Sequence, residues 1–224
     1  MKNKQNSVFL KSEGNAWYKR NRMVGGENKS HRCLHEKIFA AIGKCFEAST
    51  RAPKKLLEIG CSDASQFKSL EKKFHLDCTG LEPSRQAVRA GKKNKAKVLR
   101  GTAEALPFRD KKFDIVVFGF CLYVCDREDL FQIAFETDRV LKSQGWIVIL
   151  DFYSKFPRRR RYHHARGVFS YKCNPASMFE WNPNYTLYFH DLASHSGRSA
   201  YADQAEDLVC ISVLRKNNEF KYEK

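Results

Sequence analysis

The stretch Leu56-Leu57-Glu58-Ile59-Gly60-Cys61-Ser62-Asp63-Ala64 is an apolar strand running into a tight turn of small residues. Small side chains at 60, 62 and 64 let the backbone approach a ligand at the carboxyl edge of a strand, where open α/β sheets hold nucleotides. Two of the three glycines of a G-x-G-x-G loop are replaced, by Ser62 and Ala64, so the turn alone also reads as an ordinary strand-to-helix connection. A second strand end, Thr79-Gly80-Leu81-Glu82-Pro83-Ser84, sets a carboxylate 22 residues after Gly60. An acidic side chain there accepts hydrogen bonds from both ribose hydroxyls and repels a 2'-phosphate, which favours a nucleoside with a free ribose. Gly101-Thr102-Ala103-Glu104-Ala105-Leu106-Pro107-Phe108 follows a third strand, as a short polar loop suited to the rim of an adenine. Three strand ends in order make a site.

The elements that must position these residues alternate from Pro53 onward. Strands are predicted over Lys55 to Ile59, Asp77 to Leu81, Lys97 to Arg100, Phe113 to Phe118 and Trp146 to Phe152. Helices fall between them, through Phe67 to Phe74, over Arg85 to Lys92 and over Arg127 to Leu141. Strands separated by helices predict a parallel, doubly wound sheet, and the apolar run Phe113 to Phe118 suits a strand covered on both faces. Thr186 to Phe189 and Leu208 to Leu214 are expected to close the sheet edge as an antiparallel pair. Ahead of the core, a polar, frayed start leads to Trp17-Tyr18-Lys19-Arg20, a potential lid, and His31 to Ala48 has helical periodicity. The segment 153–183 is basic, aromatic and aperiodic, and is read as an inserted cap. The expected organisation is one domain over 1–224. It comprises an N-terminal helical or lid segment (1–50), a cofactor-binding core (51–152), the cap (153–183) and closing strands (184–224).

Lys and Arg outnumber Asp and Glu by 41 to 25, a formal net charge of +16. The excess is spread along the chain, which fits a generally basic solvated surface as well as a dedicated polyanion site. The eight cysteines are scattered, several inside apolar runs, and read as reduced thiols. Cys121 and Cys125 have three residues between them rather than the two of common zinc motifs, so no metal is expected. His31 and His35, four apart on a helical face, lack a third ligand. With no long apolar run and no signal-peptide pattern, the protein is expected to be soluble and cytoplasmic, without membrane insertion.

The blocks Leu57-Glu58-Ile59-Gly60-Cys61, Leu81-Glu82-Pro83-Ser84, Gly101 to Phe108, Phe113-Asp114-Ile115-Val116 and Arg139-Val140-Leu141-Lys142 together resemble the class I S-adenosylmethionine-dependent methyltransferases, closest to the type 11 methyltransferase domain group. The resemblance covers roughly residues 53 to 152. It implies a Rossmann-like, seven-stranded, mostly parallel sheet with an antiparallel edge strand. It also implies S-adenosyl-L-methionine as cofactor and S-adenosyl-L-homocysteine as product. Gly60 and Cys61 would line the methionine part, Glu82 would hold the ribose, Ala103 and Glu104 would sit at the adenine, and Gly119 and Phe120 would border the sulfonium. Glu58, Ser62, Asp63, Pro83 and Thr102 belong to the same implied site. Trp17 and Arg20 are expected to close over the cofactor, Arg20 meeting its carboxylate.

Many members of this group carry a histidine after the fourth strand, and Tyr123 stands there in this sequence. It is a candidate substrate contact, although a tyrosine of ordinary pKa near 10 is a poor base at neutral pH. His163 and His164 are alternative bases, set beside Arg158 to Arg161 in a segment suited to an anionic acceptor. The chain ahead of the core and 153–183 are similar to methyltransferases associated with bacterial surface-sugar and flagellar-glycan biosynthesis. The expected reaction is methyl transfer to an O or N atom of a small-molecule or sugar-type acceptor, with nucleotide-linked acceptors included. Two other readings stay open at this point: an RNA methyltransferase, and a non-catalytic S-adenosylmethionine-binding scaffold that regulates a partner.

Overall fold

Alternate residues of the central strands are buried on opposite faces of one sheet, and this explains their near-continuous apolar character. Leu56, Ile115, Val117, Val148 and Leu150 pack on one face with Phe67, Leu70 and Val88. Leu57, Val116, Phe118, Ile147 and Ile149 pack on the other with Ile133, Val140 and Phe179. Both faces are covered by helices, as a parallel sheet requires. The computed structural model describes residues 4–24, 43, 53–195 and 208–217. The helix expected over 31–48, with His31 and His35, lies outside the described residues apart from Gly43.

In chain order the elements are α1 (Gln5–Val8), a π-helical turn (Phe9–Glu13), α2 (Gly14–Val24), β1 (Lys54–Ile59), α3 (Phe67–Phe74), β2 (Leu76–Glu82), α4 (Arg85–Lys93), β3 (Val98–Arg100) and β4 (Phe113–Gly119). They continue with two short 3₁₀ turns (Leu122–Val124 and Arg127–Asp129), α5 (Leu130–Val140), β5 (Leu141–Phe152), β6 (Arg158–Arg161), β7 (Phe169–Lys172), α6 (Ser177–Glu180), β8 (Tyr185–Ser194) and β9 (Leu208–Lys216). The main sheet has the order β3-β2-β1-β4-β5-β9-β8, and β6 pairs with β7 in a separate two-stranded sheet. Strands β1 to β5 run parallel. The reversed strand is β9, which lies between β5 and the outer strand β8 and is antiparallel to both. The order reverses between β1 and β4, so the carboxyl ends of those strands open the crevice where α/β sheets bind ligands.

Three local expectations needed correction. The N-terminal stretch is helical from Gln5 rather than frayed, because its backbone and side chains find partners across the molecule: the Gln5 backbone amide donates to Asp126 at 2.7 Å and Lys4 pairs with Asp129 at 2.8 Å. The 153–183 segment contains a hairpin that no sequence period announced, with Arg158–Arg161 set against Phe169–Lys172. The helix expected to run on to Leu141 ends at Val140, and the left-handed position in the following turn is taken by Gln144 (φ 60°) rather than by Gly145.

Candidate functional site

The carboxyl ends of β1, β2 and β4, the loop after β3 and the N-terminal helices enclose a cavity of about 800 Å³, counted to its open mouth. Its walls include Gly60, Glu82, Pro83, Thr102, Ala103, Glu104, Phe120 and Tyr123, with Trp17, Phe9 and Asn6 from the N-terminal segment.

Glu82 is the best-defined group. It is only 5% exposed, yet it reaches the cavity wall. One carboxylate oxygen accepts the Ser84 amide at 2.9 Å and the other accepts the Ser62 amide at 3.0 Å. These bonds aim the carboxylate while leaving each oxygen a further lone pair for a donor in the cavity. Burial pushes its pKa up to about 7, with Asp63 adding to the rise and the two amides opposing it. Glu58, behind Gly119, is raised to about 7 as well, by burial and then by the charge of Glu82. Two carboxylates are thus crowded at the sheet edge, a setting that favours a cation or hydroxyl donors as ligand.

The β1 turn keeps its approach by conformation rather than by glycine. Gly60 (φ 80°), Ser62 (φ 52°) and Ala64 (φ 52°) are all left-handed, so the two non-glycine residues adopt the geometry that glycines would take freely. A Cβ on Gly60 would stand 2.8 Å from the Cys121 Cβ, so this position tolerates no side chain. The loop after β3 is held from behind. Arg139 donates to the carbonyls of Phe108 (2.7 Å) and Leu106 (3.0 Å), and Glu136 accepts the Leu106 amide at 2.8 Å. In front, Glu104 accepts from Thr102 at 2.8 Å and from the Asn6 amide.

Several expected residues stand elsewhere. Cys61 is buried beneath β2, its sulfur filling the space a Cβ on Gly80 would need. Ser62 contributes its amide to Glu82, and Asp63 accepts the Tyr18 hydroxyl at 3.0 Å. Glu58 and Gly119 lie just behind the wall. Arg20 does not reach the cavity, being paired with the buried Glu13 and bonded to the Tyr162 hydroxyl at 3.3 Å. His163 and His164 are exposed outside the wall, His164 against the Tyr162 ring.

Tyr123 does line the cavity. Its ring meets Phe152 edge-on at 4.9 Å. Burial drives its pKa well above the ordinary tyrosine value, which keeps the hydroxyl protonated at neutral pH.

Three groups escaped sequence reasoning. Asp151, 1% exposed, accepts the amides of Leu122 (2.7 Å), Tyr123 (3.3 Å) and Phe152 (2.7 Å), fixing the turn that carries Tyr123. Gln5 clamps that turn to β7, donating to Val124 at 2.7 Å and accepting the Phe169 amide at 2.6 Å. His195 packs its ring on Phe120 (5.6 Å) and Phe152 (5.1 Å), beside the cavity wall. An acidic residue at the end of a strand was the only one of these signals the sequence displayed.

The sheet order and the reversed strand β9 define a Rossmann-like α/β fold of the kind seen in class I methyltransferases. Residues 57–149 match the family model described as a methyltransferase domain, and the core is similar to S-adenosylmethionine-dependent methyltransferases. A demethylmenaquinone methyltransferase of Thermotoga maritima is 34% identical over 104 residues, 44% of each chain. The chain spans about half or less of the length of the curated relatives it matches. Among solved structures, a Burkholderia thailandensis 1,6-didemethyltoxoflavin-N1-methyltransferase, with 1,6-didemethyltoxoflavin and S-adenosylhomocysteine bound, superposes with a TM-score of 0.69. It has 15% identity and covers 95% of this chain and 89% of its own. A Methanosarcina mazei S-adenosylmethionine-dependent methyltransferase gives 0.64, at 16% identity over 80% of this chain and 98% of its own. Among the described residues no cluster of metal-ligating side chains occurs, and no helix is long and apolar enough to cross a membrane.

Proposed function

We propose that this chain transfers the methyl group of S-adenosylmethionine to an oxygen or nitrogen of a small-molecule or sugar-type acceptor. The observation that carries the reading is the amide-held Glu82 in the wall of a cavity roofed by Trp17, Phe9 and Asn6. The cavity fits the donor. Gly60 supplies a cradle that a Cβ would fill, Glu82 accepts from a ribose diol, and Thr102, Ala103 and Glu104 form a rim for the adenine. The carboxylates of Glu58 and Glu82 complement a cationic ligand. Phe120, itself in a left-handed conformation (φ 49°), presents its ring to Phe152, which in turn meets the Tyr123 ring, so the reacting methyl would face an aromatic wall.

When bound, the donor supplies an activated methyl with its own leaving group. The acceptor lone pair forms the new bond as the carbon–sulfur bond breaks, the electron pair stays on sulfur, and the acceptor's proton passes to water or a nearby base. The protein's task is then alignment and exclusion of water. Tyr123 and Trp17 orient the acceptor from the cavity wall, and Asp151 holds the turn that aims Tyr123. A small acceptor is favoured over RNA because the N-terminal helices close the cavity from above: Asn15 accepts from the Ser84 hydroxyl (2.9 Å) and the Gln86 amide (3.1 Å).

Calorimetry with S-adenosylhomocysteine should give saturable heat. Labelled methyl should then enter nucleotide-sugar and small hydroxyl- or amine-bearing acceptors. Absence of heat at near-millimolar ligand would overturn the cofactor assignment, incorporation into RNA alone would overturn the acceptor, and binding with no turnover on a broad panel would favour the scaffold.

A further inference from the structure

From Phe152 to Phe179 the chain has no carboxylate but seven cations: Lys155, Arg158, Arg159, Arg160, Arg161, Arg166 and Lys172. An even spread of charge over thirds of the chain conceals this acid-free run, and the fold folds it into the β6–β7 hairpin. The register sets Arg158 directly opposite Lys172 and Arg160 opposite Ser170, on one face, while Arg159 and Arg161 share the other with Phe169 and Tyr171.

The hairpin's place makes this charge relevant to the site. The Lys172 ammonium lies 4.8 Å from the Phe152 ring, and Phe152 packs on Tyr123 and Phe120, both in the cavity wall. Gln5 ties Phe169 to the Val124 carbonyl, and the Tyr162 hydroxyl donates to Glu13 at 3.1 Å. The face with Arg158, Arg160 and Lys172 therefore adjoins the aromatic wall assigned above to the acceptor.

We propose that the β6–β7 hairpin is a phosphate-binding rim that grips the anionic group of a small phosphate- or diphosphate-bearing methyl acceptor. The inference rests on the reading of the cavity as a methyltransferase site. A four-residue strand spans roughly 13 Å, the scale of one or two phosphates rather than of a polynucleotide track. Arginine forks suit such an anion better than lysines do.

The test uses the full chain loaded with S-adenosylhomocysteine and inorganic pyrophosphate as probe, followed by calorimetry at physiological salt. The double variant Arg158→Ser/Arg160→Ser should bind pyrophosphate about tenfold or more weakly, with S-adenosylhomocysteine affinity unchanged within about twofold. A control of equal charge change on α4, Arg89→Ser/Lys92→Ser, should leave pyrophosphate affinity as in the parent. Equal weakening in the control, full retention in the hairpin variant, or hairpin-dependent binding of a short RNA with none of pyrophosphate would each overturn the proposal. A parent protein that binds pyrophosphate but no S-adenosylhomocysteine would instead sink the cofactor reading on which it rests.

Discussion

The two walls of the cavity are built on different principles. On the side we assign to the donor, strand ends and turns do the work: Gly60, Ser62 and Ala64 hold left-handed backbone, Glu82 is fixed by two amides of its own neighbourhood, and Arg139 braces the 101–108 loop through carbonyls. On the side we assign to the acceptor the groups come from distant parts of the chain, with Trp17 and Tyr123 lining the cavity and Phe152, Tyr162 and His195 packed behind its Tyr123, Phe9 and Phe120. Backbone geometry specifies a constant ligand, whereas a wall of side chains can be rebuilt for a different acceptor without disturbing the donor. The match to the family ends at residue 149, short of most of that second wall.

The contrast can be broken at its joint. Asp151 links the walls, and Asp151→Ala leaves three amides without an acceptor; at about 1–3 kcal/mol for each buried group left unpaired, with relaxation recovering part, a loss of roughly 2–5 kcal/mol is expected. Denaturant unfolding checks this. A change below about 0.5 kcal/mol would show the 120–124 turn to be held by other contacts.

Next in size is Glu82. Replacement by Ala should weaken S-adenosylhomocysteine binding by about 1.5–3 kcal/mol, or ten- to 150-fold. Glu82→Gln should also weaken binding while leaving the apoprotein as stable or more stable at pH 8, because it removes a buried charge; that split separates ligand holding from structural support. Calorimetry and thermal melts together read it, and unchanged affinity in both variants would mean the donor wall is misplaced.

A pH series sharpens the same point. Glu58 and Glu82 both have pKa values raised to about 7 in the free protein. If the ligand pairs with their ionised forms, affinity should fall as pH drops below about 7, by up to about tenfold per pH unit for each group, with proton release on binding near neutrality. For the apoprotein the sign is opposite. A raised folded-state pKa gives stability that is present below about 4.5 and lost as pH climbs through about 7, since the folded state binds more protons across that window. Melts from pH 5 to 8 with and without ligand should therefore diverge. Flat ligand affinity across this range would detach the carboxylates from the cofactor.

The smallest effect expected is at Ala64, where glycine should relieve about 1 kcal/mol of left-handed strain, offset in part by its greater freedom when unfolded. A net gain of a few tenths, read by denaturant midpoint, fits the donor-wall description; a loss above about 1 kcal/mol would show that the Ala64 methyl matters more to the core than the strain does.

Much of the donor wall was legible from local pattern. A strand reads as an apolar run because both faces are covered, its end reads as a small-residue turn, and Glu82 follows at a spacing set by one βαβ unit. The acceptor wall was not. Four consecutive arginines carry no strand signal of their own, and β6 forms because β7 pairs with it and Gln5 and Tyr162 anchor it. Arg20 looked available for a ligand carboxylate until the fold placed Glu13 and Tyr162 beside it, and the exposed His163 and His164 gave way to His195 as the ring nearest the aromatic wall.

By itself, then, the sequence determined the class of sheet, the order of its strand ends and which residues stand at them, because these follow from hydrophobic period, turn chemistry and short spacing along one chain. Only the tertiary structure decided which of Trp17, Arg20, Tyr123, His163 and His195 meet the cavity, that Asp151 positions the Tyr123 turn, and that an acid-free run becomes a basic hairpin at its rim. Those outcomes depend on contacts between residues more than a hundred positions apart, such as Gln5 with Asp126 and Phe169, and no local period records such pairs.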